Sequence, residues 1–102
     1  MDFYAQVEKK VNDLKAEIIS YINIVLTGEK GWKIGDRVKV YDEVTHHEYA
    51  FEILRDRILY GEYYSGDTFY QYARNIEWMS VDELKNLLHD AYHAQFNYKN
   101  LK

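Results

Sequence analysis

The sequence predicts an α+β domain: an N-terminal helix, a curled antiparallel meander of four to five strands, and a C-terminal helix. Three observations predict it. Apolar residues recur at spacings of three and four over residues 3–26. Short alternating runs between 37 and 73 are separated by turn residues with no helix between them. A capping signature then opens a second helical pattern at Ser80. The 102 residues are 47% hydrophobic and contain no proline and no linker-like tract, so a single domain over 1–102 with one core is expected.

Tyr4, Val7, Val11, Leu14, Ile18, Tyr21 and Val25 form a heptad seam along the first helix. Lys9, Asp13, Ala16, Ser20 and Asn23 lie opposite, with Lys9 and Asp13 at the i,i+4 spacing of an ion pair. Up to Glu17 only this one stripe is apolar. From Ile18 onward Ile19, Ile22, Ile24 and Leu26 widen it around most of the helix, and such a helix has to be covered on most sides. The second half is therefore expected beneath a sheet or a neighbouring helix. The narrow stripe of Tyr4, Val7, Val11 and Leu14 is the candidate surface for self-association. Gly28 is the expected stop, because a left-handed C-terminal residue costs glycine nothing.

Residues 27–36, "TGEKGWKIGD", carry three of the five glycines and read as a connector. "GDRVKV" then begins a strand with Val38, Val40 and Val44 on one face and Arg37, Lys39 and Tyr41 on the other. The polar "EVTHHE" turns the chain, and residues 48–54 alternate Tyr49, Phe51 and Ile53 against Ala50, Glu52 and Leu54. "RDR" at 55–57 reads equally as a tight turn or as a charged bulge within one long strand. Residues 58–64 form the next strand, Ser65-Gly66-Asp67 a hairpin turn, residues 68–73 the returning strand, and Ile76 and Trp78 a short last one. Ser80 caps the final helix with Glu83 as its capping-box partner, and Met79 is placed to staple against Leu84. Leu84, Leu87, Leu88, Ala91 and Gln95 share its apolar face.

The stretch "IGDRVKV" at 34–40 resembles the opening strand of SH3-like small barrels, in which a glycine-acid turn feeds an alternating valine strand. The resemblance covers seven residues of the 102. It implies a curled sheet or small barrel rather than a flat sheet, and nothing about ligands.

Composition narrows the function. A net charge of −4 opposes generic nucleic-acid binding, which needs Lys and Arg to displace condensed counterions. The best local exception is Trp32 with Lys30, Lys33, Arg37 and Lys39, diluted by Glu29 and Asp36; a nucleic-acid-associated small barrel built on it is the alternative reading. Without cysteine there is no disulfide, thiolate metal site or cysteine nucleophile. The opening residues lack the basic-then-apolar pattern of a secretory signal, and "IISYINIVL" at 18–26 is under half of the roughly 20 residues that span a bilayer, so a cytoplasmic protein without membrane contact is expected.

Catalytic patterns are weak. His89 and His93 have the i,i+4 spacing of zinc-peptidase ligands, and a small metal-dependent enzyme is the second alternative. Helical geometry, however, turns both rings away from the leucine face, into water and away from any pocket beside the sheet. His46-His47-Glu48 lies in a loop, and no third ligand is assigned. Ser20, Ser65 and Ser80 are each on a helix face, in a turn or at a cap, none in a nucleophile elbow. No catalytic residue, metal or cofactor is expected.

Five of the eleven tyrosines fall between 57 and 78. As facing strands, 58–64 and 68–73 cannot bury both of their faces, so a tyrosine patch remains outside the core. Tyrosine tolerates that place because its ring covers apolar area while its hydroxyl stays wet. Tyr60, Tyr64, Tyr70 and Tyr72, with Trp32, are the candidate binding residues, and a non-catalytic protein-interaction module that self-associates, or meets another protein, is the functional expectation.

Overall fold

The fold is described from a computed structural model over residues 2–64 and 67–97. Helix α1 (Phe3–Asn23) runs directly into a π-helical turn (Ile24–Glu29). Strands β1 (Arg37–Asp42), β2 (His47–Ile53) and β3 (Ile58–Glu62) follow, then a short helix α2 (Thr68–Tyr72) and a two-residue strand β4 (Arg74–Asn75). A 3-10 turn (Ile76–Trp78) leads to helix α3 (Val81–Tyr92) and a last two-residue strand β5 (Phe96–Asn97).

Asp2 caps α1, its Oδ1 accepting the Tyr4 N–H at 3.0 Å. Gly28 does not end the helix. The π turn passes through it, and the left-handed residue is Gly31, at φ 72°. By then the carbonyls of Val25 and Leu26 have accepted the N–H groups of Lys30 and Trp32, so the last turn is satisfied without help from Gly28.

The antiparallel sheet has the order β4-β3-β2-β1-β5 and is open, its two-residue end strands lying at opposite edges rather than closing a barrel. Val38 faces Phe51, Phe51 faces Tyr60 and Ile53 faces Ile58 across the ladders, so one face presents a continuous apolar surface. Residues 54–57 are a hairpin turn, closed by the Leu54 N–H on the Arg57 carbonyl at 2.9 Å; the charged "RDR" is a turn, not a bulge. Val44 leaves the valine face, since the strand ends at Asp42 and Val44 stands in the following turn, 90% exposed.

The apolar sheet face is covered by the second half of α1 and by α3, and Ile22, Leu26, Val38, Phe51 and Leu84 meet there fully buried. Ser80 and Glu83 form the expected reciprocal capping box, Met79 and Leu84 are both in the core, and Gln95 lies beyond the end of α3.

The largest departure concerns 68–73. These residues form α2, not a returning strand, and the Ser65-Gly66 part of the expected hairpin turn lies outside the described residues. The pairing beside β3 is made instead by Arg74 and Asn75, while Ile76 and Trp78 sit in a 3-10 turn with Trp78 exposed. The alternation of Phe69, Tyr70 and Tyr72 fits a single helical turn as well as a strand. What decides is Phe69, which closes the reverse face of the sheet by packing under the Arg37 guanidinium, 4.3 Å from its ring centre. Gly61 is required beneath this segment: a Cβ there would stand 2.9 Å from the Ala73 Cα.

Candidate functional site

Among the described residues two surfaces combine several exposed side chains of one chemical kind. The first is α1 before Lys15. Every residue from Asp2 to Leu14 is exposed, including Tyr4, Val7, Val11 and Leu14. The helix projects beyond the globule, and the principal extents of the whole are 57 × 27 × 25 Å. The radius of gyration of 14.5 Å exceeds the ~13 Å of a compact chain of this length. The cause is a length mismatch. α3 has 12 residues and α1 has 21, or ~18 Å of helix against ~32 Å, so α3 can cover little more than half of its neighbour.

Tyr21 and Ile24, half exposed beside buried Ile18, Ile22 and Val25, carry the open stripe past the point where the core begins. Exposed apolar residues thus recur from Phe3 to Ile24, interrupted at Ile18, which the core takes up.

The second surface is a cleft between α3 and the β1–β3 end of the sheet. Tyr49 and Tyr60 stack in it with ring centres 5.5 Å apart, and Tyr64 and Tyr72 lie 5.7 Å apart at its other side. The Tyr60 hydroxyl donates to Asp90 Oδ2 at 2.5 Å, and that of Tyr64 to Glu62 Oε2 at 2.9 Å. Burial and the Asp90 carboxylate push the Tyr60 hydroxyl far above its ordinary pKa, so Tyr60 remains a donor. The Asp42 carboxylate accepts the backbone N–H groups of Val44 and Thr45, which hold its pKa below the usual carboxylate value.

The structure brings together only part of the expected tyrosine patch. Tyr60, Tyr64 and Tyr72 line this cleft, but they come from β3, from the segment just after it and from α2 rather than from one sheet face. Tyr70 lies on the reverse side, its hydroxyl donating to Glu52 Oε1 at 2.7 Å. Trp32 packs partly buried against the core. Sequence alternation misses Tyr49, whose partnership with Tyr60 needs the β2–β3 register, and Asp90, which in sequence is only a neighbour of the histidines.

The basic patch is not assembled as a surface either. Arg37 is buried and ion-paired with Glu52 at 3.3 Å beneath α2, and Lys39 meets Glu48 at 2.7 Å. His89 and His93 are exposed, as their helical phase requires, with rings 4.5 Å apart. They nevertheless border the cleft beside Asp90 rather than pointing away from it, lining one depression with Lys39, Tyr41 and Asp42 of β1. Among the described residues no group of three or more His, Asp or Glu is arranged to hold a metal ion. No helix among them is long and apolar enough to cross a membrane. Comparison of the chain with family models, curated proteins and solved structures returned no significant match.

Proposed function

We propose that this chain is a non-catalytic protein-interaction module that pairs with a second copy of itself through α1. The observation that carries the reading is the exposed half of the heptad seam: Tyr4, Val7, Val11 and Leu14 stand in water at the spacing that Ile18 and Val25 use inside the core. Two such helices bury each other's stripes, a gain of about 25 cal/mol for each Å² of apolar surface removed from water.

The charges beside the seam favour a second copy, and one orientation of it. With Tyr4 and Val11 at a and Val7 and Leu14 at d, the flanking e and g positions hold Glu8 and Lys15, and Lys10 and Glu17. A parallel pair sets Lys10 against the second copy's Lys15, twice by symmetry. An antiparallel pair with Val11 opposite the second copy's Leu14 sets Glu8 against Lys15 and Lys10 against Glu17, so all four flanking contacts are of opposite sign. In that register Tyr4 reaches the second copy's half-exposed Tyr21.

Sedimentation equilibrium of the Lys15→Glu variant tests the orientation. Antiparallel pairing places the introduced carboxylate against Glu8 and weakens dimerisation, and adding Glu8→Lys restores it. Strengthening by Lys15→Glu alone would mean a parallel pair, and a wild-type chain that is itself monomeric would remove the reading.

A further inference from the structure

Two depressions, of about 880 and 510 Å³, adjoin along the α3 side of the sheet and share Asp42, Asn86 and Asp90 in their walls. Among the described residues their combined lining holds six carboxylates, Asp42, Glu43, Glu48, Glu62, Glu83 and Asp90, against two permanent cations, Lys39 and Arg74. The difference, 2 − 6, is −4. The described residues hold 11 of the chain's 13 basic side chains and all 17 of its acidic ones, and 11 − 17 is −6. Most of the negative excess of the described residues is therefore gathered in this cleft.

Carboxylates alone do not define a ligand, but the same walls carry the stacked Tyr49–Tyr60 pair and the Tyr64–Tyr72 pair. Tyrosine faces are electron-rich, and they attract a cation that arrives on an apolar stem. The hydrogen-bond donors to Asp42, Glu62 and Asp90 are backbone amides and tyrosine hydroxyls, which are neutral and orient the carboxylates without cancelling their charge; Asp90 Oδ1 also lies 3.8 Å from His89 Nδ1, which opposes it only when the imidazole is protonated.

We propose that this cleft binds a basic segment of a partner protein, an extended stretch whose Lys or Arg stems lie on the tyrosine rings while their charged heads reach Asp42, Glu62 and Asp90. The two adjoining volumes, about 880 and 510 Å³, suit several residues of such a segment rather than one small ion. The cleft is built from β1 and the turn after it, β2, β3, α2 and α3, so it is separate from the α1 stripe and does not depend on pairing through it.

The test is fluorescence anisotropy with labelled octalysine at low salt, octaglutamate serving as the charge control. The chain is to be measured both as wild type and with Val11→Glu, which removes α1 pairing. Saturable binding of octalysine but not octaglutamate, unchanged by Val11→Glu, is expected. Tyr72→Ala and Glu62→Gln, at exposed positions that leave the core intact, should each weaken it by about threefold to tenfold. Asp56→Asn, an equal loss of charge on the β2–β3 turn, should not. Absence of saturable binding up to about 1 mM, some −4 kcal/mol, overturns the proposal. So does an effect of Asp56→Asn equal to that of Glu62→Gln, or a Tyr72→Ala variant that binds like wild type, because either reduces the interaction to diffuse charge.

Discussion

The two halves of α1 share one spacing and end in opposite places. Ile22 is 0% exposed, whereas Val11, on the same helix, is 42% exposed. Spacing dictates which side of a helix is apolar; stripe width and the length of the neighbour dictate whether this chain covers it. Beyond Ile18 the stripe is wide and lies against both the sheet and α3, while before it the stripe is one helix wide and no neighbour among the described residues extends that far. A stripe left at that width matches the face of another helix, which is why the uncovered half, rather than the covered one, is the functional candidate.

The contrast can be broken at several strengths. The largest effect belongs to the buried ion pair on the reverse face, where covered polar groups follow the same logic as covered apolar ones. Glu52→Ala leaves the Arg37 guanidinium buried without its carboxylate and should cost about 3–5 kcal/mol in urea denaturation. Next, Ile22→Ala should cost about 2–5 kcal/mol through its cavity. Val11→Ala, measured at a concentration where the chain is monomeric, should stay within about 0.5 kcal/mol of wild type. Equal costs for Ile22→Ala and Val11→Ala would mean that the first half of α1 is covered within the monomer after all.

The smallest effect concerns pH. The Tyr60 hydroxyl has its pKa raised in the folded state above the ordinary 10.0. Its contribution to stability is therefore complete below pH 10.0 and is lost as pH rises from there toward the folded value. Melting temperature followed from about pH 8 to about pH 11 should fall at the alkaline end in wild type and fall less in Tyr60→Phe. Identical slopes would show that the Tyr60–Asp90 contact does not bias the protonation of the hydroxyl.

Much of the fold was legible because its signals are local. The Ser80–Glu83 capping box, the alternation of Val38, Val40, Phe51 and Ile53, and the widening of the apolar stripe at Ile18 each depend on residues near one another in sequence. The misreadings share a cause. Residues 68–73 are too few for period two and period 3.6 to be told apart, and only the tertiary seat of Phe69 against Arg37 selects the helix. Gly28 carries the composition of a stop, yet the stop is placed at Gly31 by backbone hydrogen bonds that composition does not encode. The cleft was least legible. Tyr49, Tyr60 and Asp90 come from β2, β3 and α3, and only the register and the docking of α3 bring them together. Arg37 misled for the opposite reason, since a charged residue on an alternating strand reads as solvated until α2 is seen to cover it.

The most direct test of pairing through α1 is sedimentation equilibrium of the wild-type chain and of Val11→Glu over about 1 μM to several hundred μM, a range that brackets dissociation constants near −8 kcal/mol. The predicted result is a wild-type molar mass that rises with concentration from that of the 12.3 kDa chain toward twice that value, with Val11→Glu folded and monomeric throughout. A wild-type chain that stays at its monomer mass across the range, or a Val11→Glu variant that associates just as well, would contradict it.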